Sequence, residues 1–522
     1  MVSRPPRITG VSRSAPLAPN AVSATTSGRA TTSARTAALS ARGATSAALL
    51  LALALTACSG DGGGGGGGGD GGGTGEARVD GESGAPGVRD PYFPQAGNGG
   101  YDVTHYDLAL DYDPGRQHLT GTAGLTARAT QRLSAFDLDL KGLDVEQVTV
   151  DGSRTRWSRA GQELTVRPHD ALARGRTFHV TVRYAGTPET VTDADGSAEG
   201  WVRTDDGALA LGEPTGSMTW FPGSHHPSDK ASYDIAVTVP EGLQAVSNGE
   251  LTSRTTARHR TTFRWHTAQP MASYVATVAV GRYEITRSTT RDGVPVYVAV
   301  DPRRAKASRA VLAGIPGIMR WAQGVFGPYP FSSTGAIVDR ADGLGYALET
   351  QNRPVFPDVP DTGTLVHELA HQWYGDSVTP RTWRDMWLNE GFATYAEWLW
   401  QEEHGGDTAE AVFSALYRGD YYDSPDYNEA VWAFPPAEPP SAGRLSDSPV
   451  YERGAMVLHR IRQTVGDGAF RGILRGWAAV HRHGNADTAD FTAYVERKAP
   501  GKDLSEIWKD WLYGDGRPAG GG

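Results

Sequence analysis

The clearest chemical signal in the sequence is a pair of histidines one helical turn apart. His367 and His371 lie in the stretch TLVHELAHQW at residues 364–373. On a helix both imidazoles would lie on one face, where they can bind a single cation. Glu368 would be rotated by about 100° from His367, which places its carboxylate beside such a cation, where a base that acts on water belongs. A surface cluster of His and Glu is the alternative explanation of this motif alone.

A third ligand is expected, because catalytic zinc takes three protein ligands and keeps a fourth position open. Glu390 lies in the stretch WLNEGFATY at residues 387–395. This is far enough from His371 for one helix to end and a second helix to return beside it. An exposed helical glutamate is the usual alternative, but here the histidine pair and the Asn-Glu-Gly context coincide. We therefore predict one zinc ion per chain, bound by His367, His371 and Glu390.

Length and charge limit the classes of function. The chain has 522 residues, with 60 Asp and Glu against 50 Lys and Arg, and a single Cys. The length predicts two or three domains, and one cysteine excludes both a disulfide framework and a Cys-based zinc cluster. Residues 1–57 contain six Arg and no acidic residue, so the remainder is more acidic than the whole chain. An acidic surface is a poor partner for nucleic acid, and we expect none.

The N-terminal residues are predicted to be a targeting signal rather than a folded domain. The apolar run at residues 44–57 is shorter than the about 20 residues that a membrane-spanning helix needs, but it suits the core of a signal peptide. It ends in LTAC at residues 55–58, which resembles the bacterial lipobox, whose cysteine is diacylated and becomes the new N-terminus. We predict a lipoprotein signal peptide over residues 1–57, lipidation at Cys58 and anchoring to the outer face of the cell membrane. A secretory signal followed by a chance cysteine is the alternative.

Residues 58–97 are rich in Gly and show no apolar period, so they are predicted to be a flexible tether. From residue 98 to 301 apolar and polar residues alternate between turn signals, which predicts an antiparallel β domain. From 302 to 518 the pattern is mostly helical, which predicts an α+β domain. Helices are predicted at residues 305–325, 364–375, 386–403, 451–465, 469–480, 490–497 and 504–512, and strands at residues 335–339 and 346–350.

Short motifs in both halves resemble one known family. In the first half they are WFP at 220–222, DKA at 229–231, TVPEG at 238–242 and VSNGEL at 246–251, and in the second half FGPYP at 326–330, the block 367–395 and WLY at 511–513. These motifs resemble the aminopeptidase N family of gluzincin zinc metallopeptidases, in its short two-domain bacterial form. The resemblance implies an N-terminal antiparallel β domain followed by a thermolysin-like, mostly helical catalytic domain. It also implies a zinc aminopeptidase that acts on peptides with a free N-terminus.

The resemblance implies roles for further residues. Tyr451, in VYERGAMVL at residues 450–458, matches the transition-state tyrosine of the family. A phenol with a pKa of about 10 stays protonated at neutral pH, so it can donate a hydrogen bond to an oxyanion that forms on the substrate. Glu349 matches the glutamate that binds the free α-amine, and Glu213 is expected to line the same amine pocket.

Two stretches depart from the family pattern. Around Glu349 the residues Tyr346, Leu348 and Thr350 differ, and Leu211 stands where many relatives have a Gln that could supply an amide. An edge-strand glutamate facing solvent is the alternative for Glu349. The departures leave open whether the enzyme is strictly an exopeptidase.

Two other functions remain compatible with the sequence. One is a gluzincin endopeptidase, or a hydrolase of another small substrate, and the other is an inactive surface protein that binds peptides on the same fold. His225, His226 and His459 are expected to be structural or solvated rather than part of the site.

Overall fold

The computed structural model describes residues 80–341 and 344–519. The predicted signal peptide, its lipidation site Cys58 and the first part of the predicted tether lie outside the described residues. In the described part of the chain, no helix is both long and apolar enough to cross a membrane.

The first half of the described chain is built of strands, as its alternating pattern predicts. The strands are β1 Glu82–Ser83, β2 Tyr101–Asp113, β3 His118–Ala129, β4 Leu133–Asp139, β5 Asp144–Val150, β6 Ser153–Arg154, β7 Arg156–Ala160, β8 Glu163–Arg167, β9 Thr177–Gly186, β10 Thr190–Thr192, β11 Ala198–Arg203, β12 Ala208–Leu211, β13 Lys230–Pro240, β14 Gln244–Ser247, β15 Glu250–Ala257, β16 Arg260–Ala272, β17 Val278–Gly281, β18 Glu284–Thr289 and β19 Pro295–Val300. Short 3-10 turns at Gly216–Thr219 and Ser273–Val275 interrupt them.

The largest sheet has eight strands in the order β15-β16-β13-β2-β3-β9-β5-β6. In β2, residues that point into the core alternate with exposed ones, because successive side chains of a strand point to opposite faces. The pairing is mostly antiparallel, with β13 and β2 as a parallel pair. In that pair Tyr106 stacks on Tyr233 with ring centroids 4.8 Å apart, both rings being buried. A five-stranded sheet with the order β10-β11-β12-β17-β14 lies in the same half.

The prediction of a flexible tether over residues 58–97 is wrong for its described part. Strand β1 pairs with β4, and Asp90 and Ala96 are buried. The Asp90 carboxylate accepts hydrogen bonds from the backbone N–H groups of Tyr92, Phe93 and Trp383. Composition did not indicate this order because the segment is fixed by a few polar contacts and aromatic packing rather than by an apolar period.

The second half is dominated by helices. They are α1 Pro302–Leu312, α2 Ile315–Phe326, α3 Thr362–Ala370, α4 Trp387–Glu403, α5 Ala409–Arg418, α6 Pro425–Ala430, α7 Gly454–Val465, α8 Asp467–Val480 and α9 Thr488–Lys498, with 3-10 turns at Trp383–Asp385 and Ala442–Arg444 and π-helical turns at Pro449–Arg453 and Ile507–Leu512. The strands of this half are β20 Thr334–Val338, β21 Val355–Phe356, β22 Thr379–Pro380 and β23 Asn485–Ala486. This β-rich half followed by a helical half confirms the predicted fold class.

Two local predictions in this half are wrong. The single helix predicted at 305–325 is two helices, because the chain breaks at Ala313 and Gly314 and α2 restarts with a proline in its first turn, where a missing N–H costs nothing. The strand predicted at 346–350 is a loop with one bridge, between Leu348 and Val355. The apolar residues of this loop pack against the core but do not form the regular hydrogen bonds of a β-strand.

Hydrogen bonds across the two halves fix the loop that follows Glu349. The buried Arg353 guanidinium donates to the backbone oxygen of Ser247 at 2.7 Å and also to that of Gly249. Asn248 donates its side-chain amide to the backbone oxygen of Gln351 at 2.8 Å. A four-stranded sheet with the order β18-β19-β20-β21 also joins the halves. The position of Glu349 is therefore set by both halves of the chain.

Candidate metal centre and neighbouring carboxylates

The structure brings the three predicted metal ligands together. The Nε2 atom of His367 lies 3.1 Å from Oε2 of Glu390, and Nε2 of His371 lies 3.4 Å from the same oxygen. All three side chains can place a ligand atom within 4.8 Å of the others. His371 and Glu390 are buried and His367 is nearly so. The donors therefore converge on one point.

Helix α3 positions the histidines. Its N-terminal cap is Asp361, whose carboxylate accepts a hydrogen bond from the Thr364 backbone N–H at 2.8 Å, and its C-terminal cap is His371. The chain then turns at Gly375, which has φ of +129°. A Cβ atom at Gly375 would lie 2.0 Å from Oδ1 of Asn389, so the loop can pass α4 at this distance only with glycine.

Helix α4 supplies Glu390 from its first turn and packs closely on α7. A Cβ atom at Gly391 would lie 2.9 Å from the backbone carbon of Gly454, so the two helices meet backbone to backbone. This contact places the turn before α7, which carries Tyr451, next to Glu390.

Both histidines have their Nδ1 atoms occupied. His367 Nδ1 lies 2.7 Å from Oε1 of Glu397, and His371 Nδ1 donates to the backbone oxygen of Tyr374 at 3.1 Å. An imidazole that donates through Nδ1 presents the lone pair of Nε2, which is the tautomer that binds a metal. Glu397 was missed in the sequence, although it lies two helical turns after Glu390 on the same face of α4.

The donor set fits zinc. A tetrahedral zinc ion with bonds of about 2.0–2.1 Å keeps neighbouring donors about 3.3 Å apart, and the two measured separations lie on either side of this value. Two neutral imidazoles and one carboxylate are also the chemistry that zinc prefers. Burial alone would raise the pKa of Glu390, but the hydrogen bonds and charge of His371 and His367, which are protonated when no metal is bound, lower it below its usual value. The carboxylate is therefore ionised and available as a ligand.

Glu368 lies beside the ligands and not among them, as its position on the helix predicts. Its carboxyl is buried, and its Oε2 atom has no hydrogen-bond partner among the described residues. Burial raises the pKa of Glu368 to about 8, although the neighbouring His367 and His371 act in the opposite direction. A buried carboxyl with a free oxygen can accept and return a proton near neutral pH.

Tyr451 lies in the π-helical turn Pro449–Arg453, a geometry that is frequent at functional sites. Its ring is parallel to that of His367 within 13°, with centroids 6.1 Å apart. Burial raises the pKa of Tyr451 well above its usual range, and Glu390 adds to this shift. The phenol is therefore a hydrogen-bond donor at neutral pH.

A group of carboxylates lies next to the ligands. Glu213, Glu349 and Glu390 each place an oxygen within 4.8 Å of the others. Burial raises the pKa of Glu213 well above its usual range, and the charges of Glu349 and Glu390 add to it. Asn389 donates its side-chain amide to Oε1 of Glu349 at 2.9 Å. Glu349 is buried, so the alternative of a solvent-facing edge-strand residue is wrong.

The remaining residues considered in the sequence lie elsewhere. Leu211 is buried in β12 and offers no polar side chain. His225 and His226 are buried, and His226 Nε2 lies 3.2 Å from the Asp90 carboxylate, a structural contact. His459 packs beside Tyr395. None of these three histidines belongs to the metal-ligand groups found among the described residues.

The fold and the site together define a metallopeptidase of the type with two histidines and one glutamate. The Peptidase M1 N-terminal domain family matches residues 103–275, and the Peptidase family M1 domain matches residues 359–511. The crystal structure of the M1 zinc metallopeptidase from Deinococcus radiodurans is 31% identical, with a TM-score of 0.76, and the match covers 83% of this chain and 97% of that one. The chain belongs to the M1 family of zinc metallopeptidases.

Other similar proteins include a further structure of the Deinococcus enzyme and several aminopeptidases. A mutant of the Deinococcus enzyme bound to a Tyr-Ser-Ala substrate matches with 30% identity over 98% of its length. A probable aminopeptidase 2 of Sulfurisphaera tokodaii is 27% identical over 59% of this chain and 41% of its own. Human endoplasmic reticulum aminopeptidase 1 is 25% identical over 74% of this chain and 44% of its own. The chain thus spans about half the length, or less, of these curated relatives.

Proposed function

We propose that this protein is a zinc aminopeptidase that hydrolyses the first peptide bond of peptides with a free N-terminus. The observation that carries the proposal is the pair Glu213 and Glu349 beside the metal ligands. Clustered carboxylates favour a cation, and a peptide with a free N-terminus brings an ammonium group. An ammonium held there would leave the first peptide bond next to the ligands.

The proposed chemistry uses the residues as follows. His367, His371 and Glu390 would hold the zinc ion, which supplies Lewis acidity and activates water at neutral pH. Glu397 and the backbone oxygen of Tyr374 hold the two imidazoles in the required tautomer. Glu368 accepts a proton from the attacking water and delivers it to the leaving amine.

Tyr451 and the acidic pair act on the substrate itself. The Tyr451 phenol donates a hydrogen bond to the oxygen of the scissile carbonyl as negative charge develops there. Glu349, fixed by Asn389, and Glu213 accept hydrogen bonds from the substrate ammonium. Orientation by these groups lowers the barrier because the reacting atoms are already in place.

The test compares aminoacyl fluorogenic substrates and matched N-acetylated substrates, before and after zinc chelation. We expect the wild-type protein to cleave the free forms far faster, and Glu349→Ala to remove most of this preference. Equal cleavage of both forms by the wild type would instead indicate a gluzincin endopeptidase. Binding without turnover, in zinc-loaded protein, would indicate an inactive peptide-binding protein.

We also propose that the protein is a lipoprotein anchored at Cys58 to the outer face of the cell membrane. The support is the sequence alone, namely the apolar run that ends in LTAC at residues 55–58. Expression of the full chain and of Cys58→Ser in a bacterial host, followed by membrane fractionation, tests the proposal. The wild type should enter the membrane fraction and the variant should not, whereas equal partition would contradict lipidation.

A further inference from the structure

Strand β11 contacts the segment that carries Glu213. The buried Glu199 of this strand accepts hydrogen bonds from the Thr215 backbone N–H at 2.9 Å, from the Thr215 hydroxyl at 2.7 Å and from the Gly216 N–H at 2.7 Å. These donors begin two residues after Glu213. A Cβ atom at Gly216 would lie 2.5 Å from the backbone nitrogen of Gly200, so the segment also packs directly on the strand. Glu199 thus fixes the loop of Glu213.

The same strand contacts the segment that carries Glu349. The Tyr346 hydroxyl, three residues before Glu349, donates to the backbone oxygen of Ala198 at 2.8 Å. Ala198 is the residue directly before Glu199 in β11. Between Tyr346 and Glu349 the chain makes one bridge, at Leu348, and forms no continuous strand. The Tyr346 hydroxyl therefore ties this segment to β11.

We propose that Glu199 and Tyr346 are positioning residues that hold Glu213 and Glu349 at the separation needed to recognise a substrate ammonium. Glu199 bonds from β11 to the loop of Glu213, and Tyr346 bonds to the adjacent Ala198, so both acids are tied to neighbouring positions of one strand. Neither Glu199 nor Tyr346 belongs to the metal-ligand groups found among the described residues. This proposal rests on the proposed aminopeptidase function, and it adds the contacts that make the enzyme selective for a free N-terminus.

The test measures the ratio of kcat/KM for a free aminoacyl substrate to that for its N-acetylated counterpart. Tyr346→Phe removes only the hydroxyl, and Glu199→Ala removes both carboxylate oxygens that accept from Thr215 and Gly216. We expect Tyr346→Phe to lower the ratio by about 3- to 10-fold, the value of one lost hydrogen bond, and Glu199→Ala to lower it further because three bonds are lost. Tyr417→Phe is the matched control, because its hydroxyl also donates to a backbone oxygen, that of Pro518, at 2.8 Å.

Introducing Tyr346→Phe into the Glu349→Ala background separates positioning from general damage. If Tyr346 acts through Glu349, the second change should leave the ratio of the Glu349→Ala protein unaltered. A further loss in that background, or an unchanged ratio in both single variants, would overturn the proposal. If the wild type and Glu349→Ala show equal ratios, the proposed aminopeptidase function is contradicted before the role of Tyr346 is tested. The readout is a ratio, so a variant that folds poorly loses both activities and leaves it unchanged.

Discussion

Glu397 holds His367 by a hydrogen bond of 2.7 Å between its Oε1 atom and Nδ1 of the imidazole. The carboxylate lies on α4, two turns after Glu390, so one helix supplies both a metal ligand and the group that orients another ligand. The Glu397 side chain is 29% exposed, whereas His367 is only 12% exposed. The bond therefore lies at the edge of the site, where it is open to mutation without loss of the core.

Replacing Glu397 should weaken zinc binding. Carboxylates that orient a metal-binding histidine typically contribute about 10- to 100-fold in affinity. We expect a loss of this size in Glu397→Ala, measured by competition with a chelator of known affinity. Glu403→Gln is the control, because Glu403 lies on the same helix but bonds to Trp321 and Arg471. An affinity equal to that of the wild type in Glu397→Ala would show that the bond does not support the site.

The parts of the site that depend on local spacing could be predicted from the sequence. His367, Glu368 and His371 share one helix, and their relative directions follow from its period. Glu390 and Tyr451 were found by motif, and α4 and the turn before α7 bring them to the histidines. The alternation of apolar residues was likewise sufficient for the β-rich half, because one buried face imposes it.

The parts that were missed depend on contacts between distant segments. Residues 80–97 carry no apolar period, yet the Asp90 carboxylate accepts a hydrogen bond from the backbone N–H of Trp383, far along the chain. The loop of Glu349 looked like a strand because its apolar residues are buried, but its fixed points are Tyr346 and Arg353. Such polar contacts depend on the tertiary structure, and no local sequence pattern predicts them.

The variant Glu368→Gln should bind zinc but lose turnover. Glutamine keeps the size of the side chain and cannot accept the proton, and general-base catalysis typically contributes about 10²- to 10⁴-fold. We expect a loss of kcat in this range with unchanged zinc content by metal analysis. A variant with near-normal kcat would remove Glu368 from the role of base.

Tyr451→Phe tests the phenol. Removal of one donor to a developing oxyanion typically costs about 10²- to 10³-fold in kcat. Because the bond forms fully only as charge develops, KM should change little. Steady-state kinetics on a free aminoacyl substrate measures both values. An effect confined to KM would assign the hydroxyl to substrate binding instead.

Gly391→Ala tests the close contact between α4 and α7. The added Cβ would lie 2.9 Å from the backbone carbon of Gly454, so the helices must separate. Overpacking of this kind typically costs about 1–3 kcal/mol in the free energy of unfolding, and here it should also reduce kcat by displacing Tyr451. Gly324→Ala on α2 is the control, since a Cβ there meets nothing within 4 Å. A Gly391→Ala protein as stable and active as the control would show that the contact can relax freely.

The buried Asp139 of β4 should make stability depend on pH. Its Oδ2 atom accepts the backbone N–H groups of Gly97 and His225, each at 2.9 Å, and burial raises its pKa to about 8. A carboxyl with a raised pKa in the folded state favours folding fully below its unfolded value of about 4, and this contribution is lost as pH rises through about 8. Asp139→Asn cannot ionise, so its melting temperature relative to the wild type should rise between pH 5 and pH 9. The exposed Asp107→Asn, on β2, is the control, and an Asp139→Asn difference that stays constant across this range would refute the role of Asp139 ionisation.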